Sequence, residues 1–128
     1  MFKFIVALCL VGVSSAAFGF PGGWKNVESN SAAVTELVNL AVEHHNGEID
    51  GLYYRGVVEV KSAKQQVVRG IKTEVTVVFG ETHCAKADAG AKLCEIPANA
   101  FKEECVYTFW KEPAAQTASV LSSACVDL

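Results

Sequence analysis

Cysteines are the residues of this 128-residue chain with the most informative chemistry. Cys9 lies in an apolar N-terminal stretch, and the other four are Cys84, Cys94, Cys105 and Cys125. Four cysteines could bind zinc, but zinc sites usually contain Cys-x-x-Cys pairs and this chain has none. An even number of cysteines in an exported chain instead indicates two disulfides. The sequence therefore predicts neither a metal site nor a cofactor.

Histidines next to reactive residues raise the question of catalysis. His83 adjoins Cys84, and a free thiol beside a histidine could act as a nucleophile, but a disulfide at Cys84 removes that thiol. His44 and His45, with two glutamates nearby, could suggest a metal site, yet neighbours on a helix point about 100° apart. We interpret the pair as part of a solvated helix end. The chain is not expected to be an enzyme.

The first 19 residues have the pattern of a secretory signal peptide. Lys3 precedes an uncharged apolar stretch from Phe4 to Val13, and the small residues that follow are Ser14, Ser15, Ala16, Ala17 and Gly19. This stretch is shorter than the roughly 20 residues of a membrane-spanning helix, and no second one follows. We predict cleavage after Gly19, with Ala17 as the alternative. The product would be a soluble, extracellular protein with one domain over residues 20–128 and no membrane contact.

Composition narrows the class of function further. Apolar residues make up 51% of the chain and charged residues 20%, which is typical of one globular domain rather than a disordered chain. Lysines and arginines number 11 against 14 acidic residues, giving a formal net charge of −3. Without a basic excess to neutralise phosphates, no nucleic-acid partner is expected.

Hydrophobic periodicity predicts the elements that position these residues. Good N-cap residues at 29–31 precede an apolar stripe at helical spacing, and Gly47 would stop the helix, so we place it at roughly 31–46. The stripe comprises Val34, Leu37, Val38, Ala41 and Val42. Strands are predicted over 53–64 and 71–79, forming a hairpin with residues 66–70 at its tip. Val67 and Val68 lie at this tip, where polar residues are usual.

A second hairpin is predicted in the last third of the chain. Residues 106–110 alternate and are rich in β-formers, residues 118–121 are a plausible partner, and Pro113 lies near the midpoint. This arrangement favours a Cys105–Cys125 disulfide across the hairpin, with Cys84–Cys94 closing the connection before it. The predicted fold class is α+β, with one helix packed on an antiparallel sheet of four or five strands.

Together, the sequence Gln66-x-Val68-x-Gly70 at a hairpin tip, Gly22 upstream and the cysteine spacing resemble the type 2 cystatins. These are secreted inhibitors of papain-like cysteine proteases, and the resemblance spans residues 20–128. The chain loosely resembles a branch from blood-feeding arthropods that lacks a Pro-Trp motif. The resemblance implies the same disulfide pairing. It also implies a monomeric, reversible, competitive inhibitor of cathepsin L and cathepsin S. Weaker action on cathepsin B is expected because this chain departs from the family at Ala114.

Three segments of the family bind the protease as a wedge. The resemblance assigns an arm, a hairpin tip and a second hairpin to this role. They are Phe20, Pro21 and Gly22; Gln66, Val67, Val68, Arg69 and Gly70; and Pro113 and Ala114. The family carries tryptophan after the proline of the second hairpin, where this chain has Ala114. Trp110 is interpreted as a strand residue on the sheet face or in the core.

Two further points bear on function. Between the predicted helix and the next strand the chain reads Glu48-Ile49-Asp50-Gly51, not the Ser-Asn-Asp with which some cystatins block legumain, so that activity is not expected. The alternative from another class is a cystatin-fold binding module that has lost inhibition and recognises another surface or ligand. Gln66, Val68 and Gly70 count against this alternative, and Ala114 counts for it.

Overall fold

The computed structural model describes residues 23–87 and 94–128. Over these two ranges the backbone forms one helix and a five-stranded antiparallel sheet in chain order. The elements are β1 (Lys25–Asn26), α1 (Ala32–Glu48), β2 (Tyr53–Val67), β3 (Ile71–Ala85), β4 (Lys102–Lys111) and β5 (Ser119–Asp127). The predicted fold class is therefore confirmed. The predicted signal peptide and the arm residues Phe20, Pro21 and Gly22 lie outside the described ranges.

The helix begins where the sequence predicts and ends later. Ser31 is its N-cap, and the Ser31 hydroxyl oxygen accepts a hydrogen bond from the Val34 N–H at 3.3 Å. The prediction that Gly47 stops the helix is wrong, because Gly47 lies within the last turn. The helix ends where Ile49 adopts extended backbone while its N–H donates to the His45 carbonyl oxygen at 3.1 Å. Such an ending needs no left-handed glycine. No helix in the described ranges has the length and apolar character required to cross a bilayer.

One side of α1 packs on the sheet and forms the core. Val34, Val38 and Ala41 are buried, whereas Leu37 and Val42 of the predicted stripe are half-buried at its margins. The buried sheet residues in the same cluster are Ala63, Val75, Val77, Phe79, Cys105, Tyr107 and Phe109. They alternate along β3 and β4, as side chains facing one side of a sheet must. Burial of each large apolar side chain contributes about 1.5–3 kcal/mol to stability.

The hairpin of β2 and β3 is longer than predicted. Its strands reach Val67 and Ala85, beyond the predicted ends at 64 and 79. Val67 still pairs with Ile71, so the loop contains only Val68–Gly70. Gln66 and Val67 are therefore strand residues, and their assignment to the tip is corrected. Register shifts along β2 indicate bulges, which increase the twist of a hairpin and bend it around the helix.

Both disulfides have the predicted pairing. Cys105 in β4 lies directly opposite Cys125 in β5, and the two are bonded. Cys84, near the end of β3, is bonded to Cys94 in the segment before β4. The predicted second hairpin is present, with Pro113 in the turn that joins β4 to β5.

Candidate functional site

Two loops share one end of the sheet. The first loop, Val68–Gly70, joins β2 to β3, and the second loop, residues 112–118, joins β4 to β5. We call this end of the sheet the tip end. β1 runs along the same end, because Lys25 pairs with Gln65. The opposite end carries the end of α1 and the Cys84–Cys94 disulfide, so the fold separates the two loops from that disulfide.

The first loop is tight and presents apolar side chains to solvent. The Val68 N–H donates to the Gly70 carbonyl oxygen at 2.9 Å. Arg69 has a φ of 54° and Gly70 a φ of 132°, and these left-handed values reverse the chain within three residues. The Val67 side chain is 54% exposed and that of Val68 46% exposed. The end of β2 and the first loop therefore offer apolar surface that the protein's own core does not use.

Gly70 is fixed against the second hairpin. A Cβ built on Gly70 would lie 2.5 Å from the Lys111 carbonyl oxygen and 3.1 Å from the Trp110 side-chain nitrogen. The Cα of Glu112 would be 3.4 Å from the same position. Only glycine allows this approach without displacing backbone, so the position of the first loop depends on the second hairpin.

The second loop is exposed and carries no large apolar side chain at its turn. Pro113 and Ala114 are both exposed, and the turn closes with the Ala115 N–H donating to the Glu112 carbonyl oxygen at 3.1 Å. Proline at the second position of such a turn has the required φ. Trp110 lies in β4, as predicted, next to buried Phe109, so its side chain faces away from α1.

Trp24, for which the sequence predicts no binding role, also lies at the tip end. The Lys64 ammonium is 5.3 Å from the centre of its ring, and Lys64 also pairs with Glu74 at 3.3 Å. Glu74 alternates with the core residue Val75, which places this contact on the sheet face away from α1. The sequence signal that could have identified Trp24 is its position, which is close to the predicted arm.

The prediction of a solvated helix end is wrong for His45. His45 is buried, stacks on Phe79 with ring centres 4.4 Å apart, and forms a 2.6 Å hydrogen bond to Glu103. Arg55 pairs with the same carboxylate oxygen. The Asn46 side chain exchanges hydrogen bonds with the Arg55 backbone at 2.8 and 2.9 Å. These contacts fasten the end of α1 to β2 and β4, far from the two loops.

The residues in the described ranges give little support for a metal-binding site or for a thiol nucleophile. Donor atoms of His45, Glu103, Cys105 and Cys125 all lie within 4.8 Å of one another. Both sulfurs are in a disulfide, and the other two groups hydrogen-bond each other, so we assign the cluster a structural role. Cys84 is also in a disulfide, and therefore cannot supply a thiol nucleophile beside His83.

Comparison with known proteins identifies relatives along most of the chain. A family model described as the cystatin domain matches residues 22–114. L-cystatin of Tachypleus tridentatus is 32% identical over 108 residues, covering 82% of this chain and 80% of that protein. Cystatin-1 of Ornithodoros moubata is 31% identical over 124 residues, covering 94% and 95%. The crystal structure of a salivary cystatin from the soft tick Ornithodoros moubata matches with a TM-score of 0.66 and 28% identity, covering 83% and 98%.

Proposed function

The chain belongs to the cystatin family, whose members are protease inhibitors and not enzymes, and we propose that it inhibits papain-like cysteine proteases reversibly and competitively. Its similarity to horseshoe crab and tick proteins makes it a type 2-like cystatin of the arthropod branch. The proposed targets are open-cleft endopeptidases such as cathepsins L and S.

The observation that carries the proposal is the pair of exposed valines at a tight loop. Val67 and Val68 present apolar surface next to the left-handed turn at Arg69 and Gly70. A narrow apolar loop of this kind can fill a protease cleft and exclude water from it. Because the loop is already folded and supported by the second hairpin, binding orders few additional groups.

Inhibition in this account requires no chemistry by the inhibitor. Phe20 and Pro21 would occupy unprimed subsites, and Gly22 would let the chain turn aside before it reaches the protease's thiol. The first loop would occupy the cleft beyond the thiol. No peptide bond is offered in a cleavable position, so the complex stays noncovalent and dissociates intact.

The second loop would form the third contact, and its sequence favours selectivity. Ala114 is exposed where the family carries a large aromatic side chain, so this loop buries less surface in the complex. Cathepsin B-like enzymes have a loop that obstructs the cleft, and an inhibitor must displace this loop to bind. The displacement costs free energy, which the remaining contacts between inhibitor and protease must offset. We therefore place cathepsin B below cathepsins L and S as a target.

Secretion is the second part of the proposal. The N-terminal pattern is typical of a signal peptide, and the remaining four cysteines form two disulfides. Stable disulfides are typical of oxidising compartments such as the extracellular space.

The proposal is tested by steady-state inhibition of cathepsins L, S and B at several substrate concentrations, with a serine protease as the control enzyme. We expect the apparent inhibition constant to rise linearly with substrate concentration, and intact inhibitor to be recovered from the complex. Absence of inhibition across the panel would contradict the proposal. That result would favour the non-inhibitory binding module, for which the small side chain of Ala114 already counts.

A further inference from the structure

Trp24 lies beside the surface proposed to enter the protease cleft. It directly precedes Lys25, which pairs with Gln65, so Trp24 lies next to Gln66 at the edge of β2. Gln66 in turn precedes the exposed Val67. Trp24 is 41% exposed at this edge, and its ring lies with Lys64 on the sheet face away from α1.

The orientation of Trp24 is favoured by its own neighbours before any partner binds. Lys64 lies over its ring at 5.3 Å, and the ion pair with Glu74 at 3.3 Å restrains the Lys64 side chain. Cation–π contacts at exposed sites are favourable by about 0.5–1 kcal/mol. A restrained tryptophan loses little conformational freedom on binding, which favours its use as an anchor.

Chain connectivity keeps Trp24 close to the cleft. Two residues of extended chain span at most about 7 Å, and Trp24 is two residues after Gly22. If Gly22 passes the protease's thiol, Trp24 must lie at the rim of the cleft. Tryptophan is strongly enriched among residues whose truncation weakens protein complexes.

We propose that Trp24 is a specificity-determining residue that contacts the rim of the protease cleft and supplies the large apolar contact that Ala114 does not. This inference rests on the proposed function. The large aromatic contact of the wedge would then come from Trp24, on the β1 side of the first loop, and not from the second loop. The partner is the same protease, and the surface that Trp24 buries would be an addition to that of the arm and the first loop.

The test is a double-mutant cycle on inhibition of cathepsin L. Trp24→Ala is compared with the wild type, both in the full chain that begins at Phe20 and in a chain that begins at Gly23. Trp24→Phe keeps a smaller aromatic ring over Lys64. Leu52→Ala is the matched control, because Leu52 is 77% exposed at the opposite end of the sheet. Thermal unfolding of each variant checks that it is folded.

We expect Trp24→Ala to weaken inhibition about 10- to 30-fold in both backgrounds, and Trp24→Phe to weaken it only about threefold. Leu52→Ala should match the wild type. Wild-type affinity in Trp24→Ala, or an equal loss in Leu52→Ala, would overturn the inference while leaving the proposed function intact. A loss that disappears when the arm is absent would also overturn it, because Trp24 would then only position the arm. Failure of the wild type to inhibit would overturn both.

Discussion

Gly70 and Lys111 hold the two hairpins in contact: a Cβ on Gly70 would lie 2.5 Å from the Lys111 carbonyl oxygen. The contact joins the loop after β2 to the end of β4, residues that are far apart in sequence. This close packing restrains the position of the first loop relative to the second loop. Such a restraint is required if the two loops are to enter one cleft together.

We expect Gly70→Ala to lower both stability and affinity. Its φ of 132° is rarely adopted by residues with a Cβ, and such strain costs about 1–3 kcal/mol. The clash with backbone at Lys111 would also push the loops apart. Urea denaturation and inhibition of cathepsin L measure the two effects.

Gly51→Ala is the matched control for this variant. A Cβ at Gly51 meets no atom within 4 Å, and Gly51 lies at the opposite end of the sheet. This variant should retain the stability and affinity of the wild type. If Gly70→Ala behaved in the same way, close packing of Gly70 against the second hairpin would not control the position of the first loop.

Deletion of Phe20, Pro21 and Gly22 tests the arm. Pro21 would lie in the second unprimed subsite, where its fixed φ suits an extended ligand. We expect the deletion to weaken inhibition most for cathepsins that accept proline in that subsite. Inhibition constants are compared across the protease panel with those of the full chain. Unchanged constants for every enzyme would show that the arm does not contribute.

Ala114→Trp should narrow the gap between cathepsin L and cathepsin B. An added tryptophan in the second loop is expected to improve cathepsin B inhibition about tenfold or more, because hot-spot tryptophans contribute on that scale. Ala98→Trp places the same side chain at an exposed alanine before β4 and should change neither constant. Equal affinity of the wild type for both enzymes, or weaker binding by Ala114→Trp to both, would refute the assigned role of the second loop.

Ionisation of Tyr107 is expected to lower the stability of the protein at alkaline pH. Burial raises the pKa of its hydroxyl above the usual 10.0, so the folded protein favours the neutral form. The contribution of neutral Tyr107 to the free energy of unfolding is fully present below the pKa that tyrosine has in the unfolded chain. It is lost as the pH rises through the pKa of Tyr107 in the folded protein. Tyr107→Phe should therefore flatten the decline above about pH 10.

The same variant carries a cost at neutral pH. It removes the 2.9 Å hydrogen bond between the Tyr107 hydroxyl and His44, which should cost about 1 kcal/mol at pH 7. Chemical denaturation at several pH values measures both effects, with Tyr53→Phe as the exposed control. An alkaline decline as steep in Tyr107→Phe as in the wild type would exclude Tyr107 as its source.

Local patterns in the sequence were sufficient for the second hairpin and much of the first. Alternation and turn residues predict β4 and β5, and the position of Pro113 favours the Cys105–Cys125 bond that the structure contains. The start of α1 follows from Ser31, an N-cap whose partner is only three residues away. Each of these features depends on interactions between residues that are close in sequence or in one hairpin.

Contacts between distant segments could not be predicted in this way. His45 reads as exposed in a polar stretch, but Glu103 binds it, and Arg55 binds Glu103, only once the sheet has formed. Position 70 must be glycine partly because the backbone of Lys111 lies against it, and no rule for local turns reveals that contact. Gly47 shows the converse error, since a residue typical of helix ends lies inside the last turn.

The central claim is that the first loop is the main contact with the protease. Val68→Asp tests it most directly, because it would place a carboxylate in a desolvated slot at a cost of several kcal/mol. Val126→Asp is the matched control, since Val126 is 61% exposed on β5 near the opposite end of the sheet.

The decisive measurement is the inhibition constant of these two variants and the wild type against cathepsin L. The account predicts that Val68→Asp weakens inhibition by about 100-fold or more, while Val126→Asp stays within about twofold of the wild type. Unchanged inhibition by folded Val68→Asp would contradict the account.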